Sequence, residues 1–234
     1  MTAVIRTLAG AAILAGLTMT AASGQAPPPV PDGPRYVVTY IEVMPTAAAE
    51  GAALARAMRD AMRGEAGNLR SGAVGRIGQP NQFVILSAWK DEAALAAHAK
   101  APQTAQLLER LAKIRNAPYD ERVTFPLSVD QLHAALGADA VVVVSHVDVI
   151  PLQRELATTL VRQHAEDSRR EAGNLRFEAL TQTNRQNHFT VVEAWKDRDA
   201  AEKHGANATT RAFRDRIAPA IGALYDERFY KALK

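Results

Sequence analysis

Hydrophobic positions along the chain follow two alternating periods, and each change of period marks an element. "YVVTYIEVMP" (36–45) and "VVVVSHVDVIP" (141–151) are β-branched runs closed by proline, which cannot donate to a ladder and ends a strand. Past each proline the apolar spacing becomes four, with Leu54, Met58 and Met62 in the first case and Leu156, Leu160 and His164 in the second, which predicts a helix. Each helix ends ahead of Gly67 or Gly173, where a left-handed closing residue is wanted, and Leu69 or Leu175 opens the next strand. "LRSGAVGRIG" and "FVILSAWKD" flank "QPN", as "LRFEALTQT" and "HFTVVEAWKD" flank "NRQN", so each pair predicts a hairpin. Helical spacing returns in "KDEAALAAHAK" and "TAQLLERLAKI", and "YDERVTF" closes the set as a strand. The predicted order is β-α-β-β-α-β, a four-stranded antiparallel sheet with helices on one face.

The second set copies the first. "EAGNLR" stands at 65–70 and again at 171–176, and the same offset of 106 carries "AWKD" of 88–91 onto 194–197, His98 onto His204 and "YDER" of 119–122 onto 225–228. Over 36–128 against 142–234, 31 of 93 pairs are identical without a gap, so the chain is a tandem duplication. That period is too long for a solenoid repeat of about 20–50 residues and fits two small domains. One such sheet would leave its second face bare, and a covalent second copy can cover it. The predicted fold class is α+β: two ferredoxin-like units forming a pseudo-dimeric barrel. The predicted division is a signal peptide at 1–26, a proline-rich spacer at 27–35, one domain at 36–127, a linker at 128–140 and a second domain at 141–234. Within the linker, "SVDQLHAALGAD" predicts a short helix with Leu132 and Leu136 on one side.

Composition narrows the partners. Arg6 followed by "TLAGAAILAGLTMTAA" is a secretory signal in pattern, and it is shorter than the roughly 18–20 apolar residues that a membrane span needs. The expected location is periplasmic or secreted, with no membrane attachment after processing. The mature protein is expected to begin between residues 22 and 27; mass spectrometry finding an intact N-terminus on cytoplasmic protein would contradict this. Basic residues number 28 against 25 acidic, without a dense cluster, so nucleic acid is not an expected partner. With no cysteine, thiolate zinc and iron–sulfur sites are excluded, and no two histidines lie three or four apart. No metal is expected. Nor does the chain carry a Ser-His-Asp spacing, a phosphate loop or a dinucleotide fingerprint.

Strand alternation sorts the candidate chemistry by face. Phe83, Ile85, Ser87 and Trp89 share one face of their strand, and their size predicts that they point into the barrel, with Val84, Leu86 and Ala88 under the helices. The same sorting places Glu193 and Trp195 inward. On the first strands Val37, Ile41 and Val43 should face helices, leaving Tyr40 and Glu42, or His146 and Asp148, inside. The second copy thereby gathers His146, Asp148, Glu193 and Trp195, with His164 on its helix and His204 past the "WKD" turn. Each has a plainer role open to it: helix capping for His98 and His204, core packing for His164, Trp89 and Trp195, turn closure for Asn68 and Asn174.

Gly67, Asn68, Leu69, Phe83, Trp89 and His98, repeated as Gly173, Asn174, Leu175, Phe189, Trp195 and His204, resemble the motif of the antibiotic biosynthesis monooxygenase family over nearly all of 36–231. The resemblance implies a monooxygenase with no cofactor, neither flavin nor metal, that oxidises a quinol, phenolic or polycyclic aromatic with O2. An electron-rich, deprotonated ring can itself reduce oxygen, so the protein supplies a dry pocket, a base and fixed dipoles. By this resemblance His204 or His146 is the base, with Asn174 and Trp195 completing the catalytic set. Phe189 and Trp195 hold the ring, Arg176 and Asn174 polarise its oxygen, and Glu193, His164, Asn68, Trp89 and His98 line the substrate sites. The chain departs from the pattern at Gln103 and Thr209, where the family has a second histidine, and at Ser87, where Glu193 is closer to it. Because only the second copy's expected inner face combines His146, Asp148, Glu193 and Trp195, catalysis is expected there. The alternative is an exported, non-catalytic protein that sequesters an aromatic or haem-like ligand in the barrel. In either case the chain would act as a monomer that is its own pseudo-dimer or as a homodimer.

Overall fold

The computed structural model describes residues 29–130, 136–224 and 226–234; the predicted signal segment and residues 131–135 of the predicted linker helix lie outside the described residues. The first unit comprises β1 (Arg35–Glu42), α1 (Ala48–Arg63), β2 (Asn68–Arg76), β3 (Gln82–Trp89), α2 (Glu92–Ala99), α3 (Pro102–Ile114) and β4 (Asp120–Ser128). The second comprises β5 (Val141–Asp148), α4 (Arg154–Ser168), β6 (Asn174–Gln182), β7 (His188–Trp195), α5 (Arg198–Ala206), α6 (Ala208–Ile217) and β8 (Asp226–Ala232). Each unit follows the expected order, with its second helical stretch broken in two. All eight strands close into one barrel in the order β1-β3-β2-β8-β5-β7-β6-β4. Two antiparallel seams join the units, β2 to β8 from Val74↔Ala232 to Arg76↔Tyr230, and β4 to β6 from Thr124↔Gln182 to Ser128↔Ala179.

Closure divides the apolar residues into three layers, and here the expected faces of β3 and β7 are reversed. Phe83, Ile85 and Trp89 lie under the helices of their unit with Leu54, Met58 and Leu111. Phe189 and Trp195 lie under the helices of theirs with Leu160, Phe177 and Phe213. The barrel interior takes the smaller Val84, Leu86, Val144 and Val192, with Tyr230. An eight-stranded barrel is only wide enough for modest side chains to meet at its axis, whereas the gap between sheet and helix accepts an indole. The faces of β1 and β5 are as expected: Val37 and Ile41 pack under helices and Tyr40 turns inward. On α4 the buried stripe is Ala157, Leu160, Val161, His164 and Ala165, while Leu156 is 45% exposed.

The repeated hexapeptide earns its shape from one glycine. Gly67 has φ +84° and Gly173 φ +87°, in the region that side chains with a Cβ avoid. A Cβ on Gly67 would stand 2.6 Å from the Cβ of Ala94, and one on Gly173 would stand 2.9 Å from that of Ala200. The turn therefore passes directly beneath the first turn of α2 or α5. Asp91 and Asp197 cap those same helices, their Oδ1 atoms each accepting from the backbone N–H three residues on at 2.8 Å. Gly173→Ala should cost about 2–3 kcal/mol in urea denaturation, combining left-handed strain with overpacking. An effect under about 0.5 kcal/mol would mean that the turn relaxes freely.

Candidate functional site

Under the helices of the second unit the chain buries a cluster of ionisable side chains. His204, on α5 and 4% exposed, places its Nδ1 3.0 Å from Oε1 of Glu171, the first residue of the hexapeptide turn. That contact fixes the proton on Nδ1 and leaves the Nε2 lone pair facing Glu193, whose Oε2 is 3.8 Å away. Trp195 Nε1 donates to the same Glu193 oxygen at 2.8 Å, and the indole stacks on the His204 ring with centroids 4.7 Å apart. Thr210 Oγ1 lies 3.3 Å from His204 Nδ1 and 3.5 Å from its Nε2. His164 reaches in from α4, stacked on Phe213 at 4.1 Å, with its ring 5.4 Å from that of His204 and its Nδ1 buried without a partner.

Burial sets the charge states. It pushes the Glu193 carboxyl up to about 8 against the opposing Trp195 N–H, so this group is largely protonated at neutral pH. It pushes His164 down to about 3, with His204 adding to the effect, and it lowers His204, opposed by Glu171. The cluster therefore pairs a neutral imidazole with a neutral carboxylic acid, a base and an acid side by side in a dry site. Among the described residues no group of His, Asp or Glu is arranged to hold a metal ion.

The first unit keeps half of this arrangement. His98 Nδ1 is 2.9 Å from Glu65, Trp89 stacks on His98 at 4.7 Å, and Thr104 is 3.3 Å from the ring. The second carboxyl is missing, since Trp89 Nε1 donates instead to Ser87 Oγ at 3.1 Å, and Met58 stands where the other unit has His164. Glu65, Glu171, Thr104 and Thr210 did not stand out in the sequence. The signal lay in the repeat, where each is identical in both copies and keeps a fixed spacing to the repeated histidine.

Two expected groupings come apart. Glu193 and Trp195 lie on the helix side of the sheet, so they do not share a face with His146 and Asp148. Asn174 and Arg176 also part: the β6 ladder shifts register between them, leaving Asn174 opposite Trp195 and Arg176 opposite Ala194. One substrate oxygen cannot meet both side chains. Asn68 sits in the matching place opposite Trp89 and accepts from Ser71 Oγ at 3.1 Å. Phe189 is fully buried in the helix-side layer beneath α4.

His146 instead stands inside one end of the barrel, where Tyr40 Oη meets its Nε2 at 2.6 Å and Thr190 Oγ1 lies 3.2 Å from its Nδ1. Tyr40 and His146 are equivalent positions in the two copies, meeting where the repeat axis passes. Burial lowers His146 to about 4, with Arg122 reinforcing it, and burial raises Tyr40 far above the usual phenol range. The hydroxyl thus stays protonated and donates to a neutral imidazole. A cavity of about 620 Å³ opens here, lined by Tyr40, His146, Tyr119, Arg122, Arg228 and Tyr230 among others.

The sequence model described as antibiotic biosynthesis monooxygenase matches the chain twice, over residues 34–110 and 140–216. YcnE of Bacillus subtilis, a candidate monooxygenase by name, is 31% identical over 81 residues, which is 35% of this chain and 85% of YcnE. A candidate monooxygenase from Fusobacterium nucleatum superposes with a TM-score of 0.77 over 86% of this chain and 93% of its own, at 17% identity. An anthrone oxidase-like protein superposes with a TM-score of 0.68 over 86% and 91%, at 11% identity. These two share the fold.

Proposed function

Because the chain belongs to the antibiotic biosynthesis monooxygenase family in both of its halves, we propose that it is an exported monooxygenase acting on a quinol, phenolic or polycyclic aromatic with O2. Its family and its relatives support a monooxygenase-like function. The observation that carries the finer reading is the orientation of His204: Glu171 holds Nδ1, and Nε2 faces a buried acid beside an indole that can stack an aromatic ring. His204 Nε2 takes a proton from the substrate, and the electron-rich ring carbon adds O2, giving a carbon–OOH group once the proton returns. The remaining hydrogen of that carbon then leaves as a proton to His204, its electron pair forms the C=O, and the expelled hydroxide takes a proton from Glu193 to leave as water; passage of the proton from His204 to Glu193 restores both groups. Both electrons come from the substrate, one oxygen atom stays in the product, and no other reductant is consumed. Trp195 and Phe177 are wholly buried, so α5 and α6 must part from β7 to admit a ring.

The test is oxygen uptake by the processed protein with a panel of quinols and anthrones under ¹⁸O₂. Incorporation of a single ¹⁸O atom per turnover is expected. Binding without uptake across the panel would favour the second reading, a non-catalytic protein that holds an aromatic ligand in the barrel. One observation supports that reading: the 620 Å³ cavity lies at His146 rather than at His204. Since both nitrogens of His146 already have partners, a neutral aromatic suits the cavity better than a haem iron. Both tryptophans lie on the helix side, so a ligand at His204 should quench Trp195 fluorescence and one in the barrel should not.

A further inference from the structure

The opposite end of the barrel has a different character. A cavity of about 270 Å³ there is lined by Arg59, Arg63, Arg70 and Arg176 over an apolar floor that includes Val74, Leu86 and Val142, and no carboxylate is among its described lining residues. Three of these arginines have acceptors within the fold. Arg59 holds Asp60 at 2.7 Å and donates to the Leu233 carbonyl, and Arg63 donates twice to the Ser71 carbonyl at 3.1 and 3.0 Å. Arg70 reaches both oxygens of the buried Glu178, at 2.7 and 2.9 Å.

Arg176 differs. It makes no side-chain hydrogen bond or ion pair among the described residues, and its Nε is buried without an acceptor. Its neighbour two residues on, Glu178, is the carboxylate that Arg70 engages. Burial and the adjacent Arg70 disfavour its charge, opposed by Glu178 and Tyr36. A guanidinium remains ionised in proteins, so a partly buried one with no hydrogen-bond acceptor carries N–H donors that the fold does not satisfy, even with Glu178 nearby.

We infer that this end of the barrel binds a small organic carboxylate with an apolar body, the carboxylate bridging Arg176 toward Arg63 and the body resting on Val74, Leu86 and Val142. A planar carboxylate matches the paired N–H donors of a guanidinium, and the valine and leucine floor has nothing to offer a fully polar anion. The volume suits one ring or a short chain rather than a fused polycycle. This site stands apart from the cluster around His204, being on the other face of the sheet.

The probe is benzoate, titrated into the full chain by calorimetry, with benzamide and inorganic phosphate as controls. Saturable benzoate binding is expected, with benzamide weaker by about tenfold to a hundredfold for loss of the charged contact. Arg176→Met should weaken benzoate by a similar factor, and without ligand it should melt no lower than the parent because it removes a charge that lacks an acceptor. If Arg176→Met does not fold, Arg176→Gln serves in its place. Absence of benzoate binding, or binding unchanged in the Arg176 variant, overturns the inference. Phosphate binding as tightly as benzoate overturns the assigned ligand class, because the apolar floor would then contribute nothing.

Discussion

Replacing His204 with alanine should slow substrate-dependent oxygen uptake by about 10²–10⁴, the usual consequence of losing a positioned base. Glu193→Gln should slow it too, since the amide keeps an acceptor for the Trp195 N–H but cannot supply a proton. His98→Ala should leave most of the rate. The two units differ at one point: both hold their histidine Nδ1 on a glutamate, but only the second sets a buried acid opposite Nε2, where the first has Ser87. Glu171→Gln probes the same idea from behind, because the amide can present an N–H to Nδ1 and so release the tautomer that exposes Nε2 as a base. Thermal unfolding of every variant must be compared first, for His204 is packed against Trp195 and its loss leaves a void. Equal damage from His98→Ala and His204→Ala would make the two pockets equivalent, and no damage from any variant would leave the ligand-holding reading as the better account.

Stability should peak near pH 6.5 and fall on both sides, with each limb traceable to named residues. On the alkaline side the group is Glu193, whose folded value of about 8 exceeds its ordinary 4.5. Between those values the native state holds a proton that the unfolded chain has released, so stability falls as pH rises through the window. At about 1.4 kcal/mol per pH unit, the full span is on the order of 5 kcal/mol. On the acid side His164 and His146 titrate near 3 and 4 when folded and near 6.5 when unfolded. The unfolded chain binds those protons first, so stability falls as pH drops from 6.5. Urea midpoints at pH 5, 6.5 and 8.5 would show the peak. Glu193→Gln should flatten the alkaline limb, and His164→Met, which installs the first unit's residue, should soften the acid one. An alkaline decline that persists in Glu193→Gln would show that another group controls it.

The fold was legible because its signals were local and repeated. Proline-ended β-branched runs, short hairpin loops and a gapless offset each pointed to the same two units, and closure followed from a sheet face that needed a cover. Side-chain direction was less legible. Period two tells which residues share a face but not which face is which, and size misled because the lumen of this barrel is narrower than the space beneath the helices. Trp195, Glu193 and His204 do converge, on the helix side. Glu171 escaped notice because a carboxylate in a polar turn looks solvated until the helix above it is in place. Tyr40 and His146 each looked like the property of one copy. Their contact crosses between copies, and its only trace in the sequence is that they occupy the same place in the repeat.

The single covalent chain through both halves of the barrel has a consequence for how the halves can diverge. In an assembly of two identical subunits any substitution appears twice, and a residue on the symmetry axis can meet only itself. Here the axis joins a tyrosine to a histidine, one unit carries a buried acid and the other a serine, and one barrel end carries an arginine pair, Arg70 and Arg176, of which only Arg70 is hydrogen-bonded to a carboxylate. Closing the two seams is also an intramolecular event, governed by the effective concentration that the connecting segment imposes rather than by how much protein is present. Dilution should therefore leave the barrel shut, and one half is free to specialise while the other continues to supply the wall against which it closes.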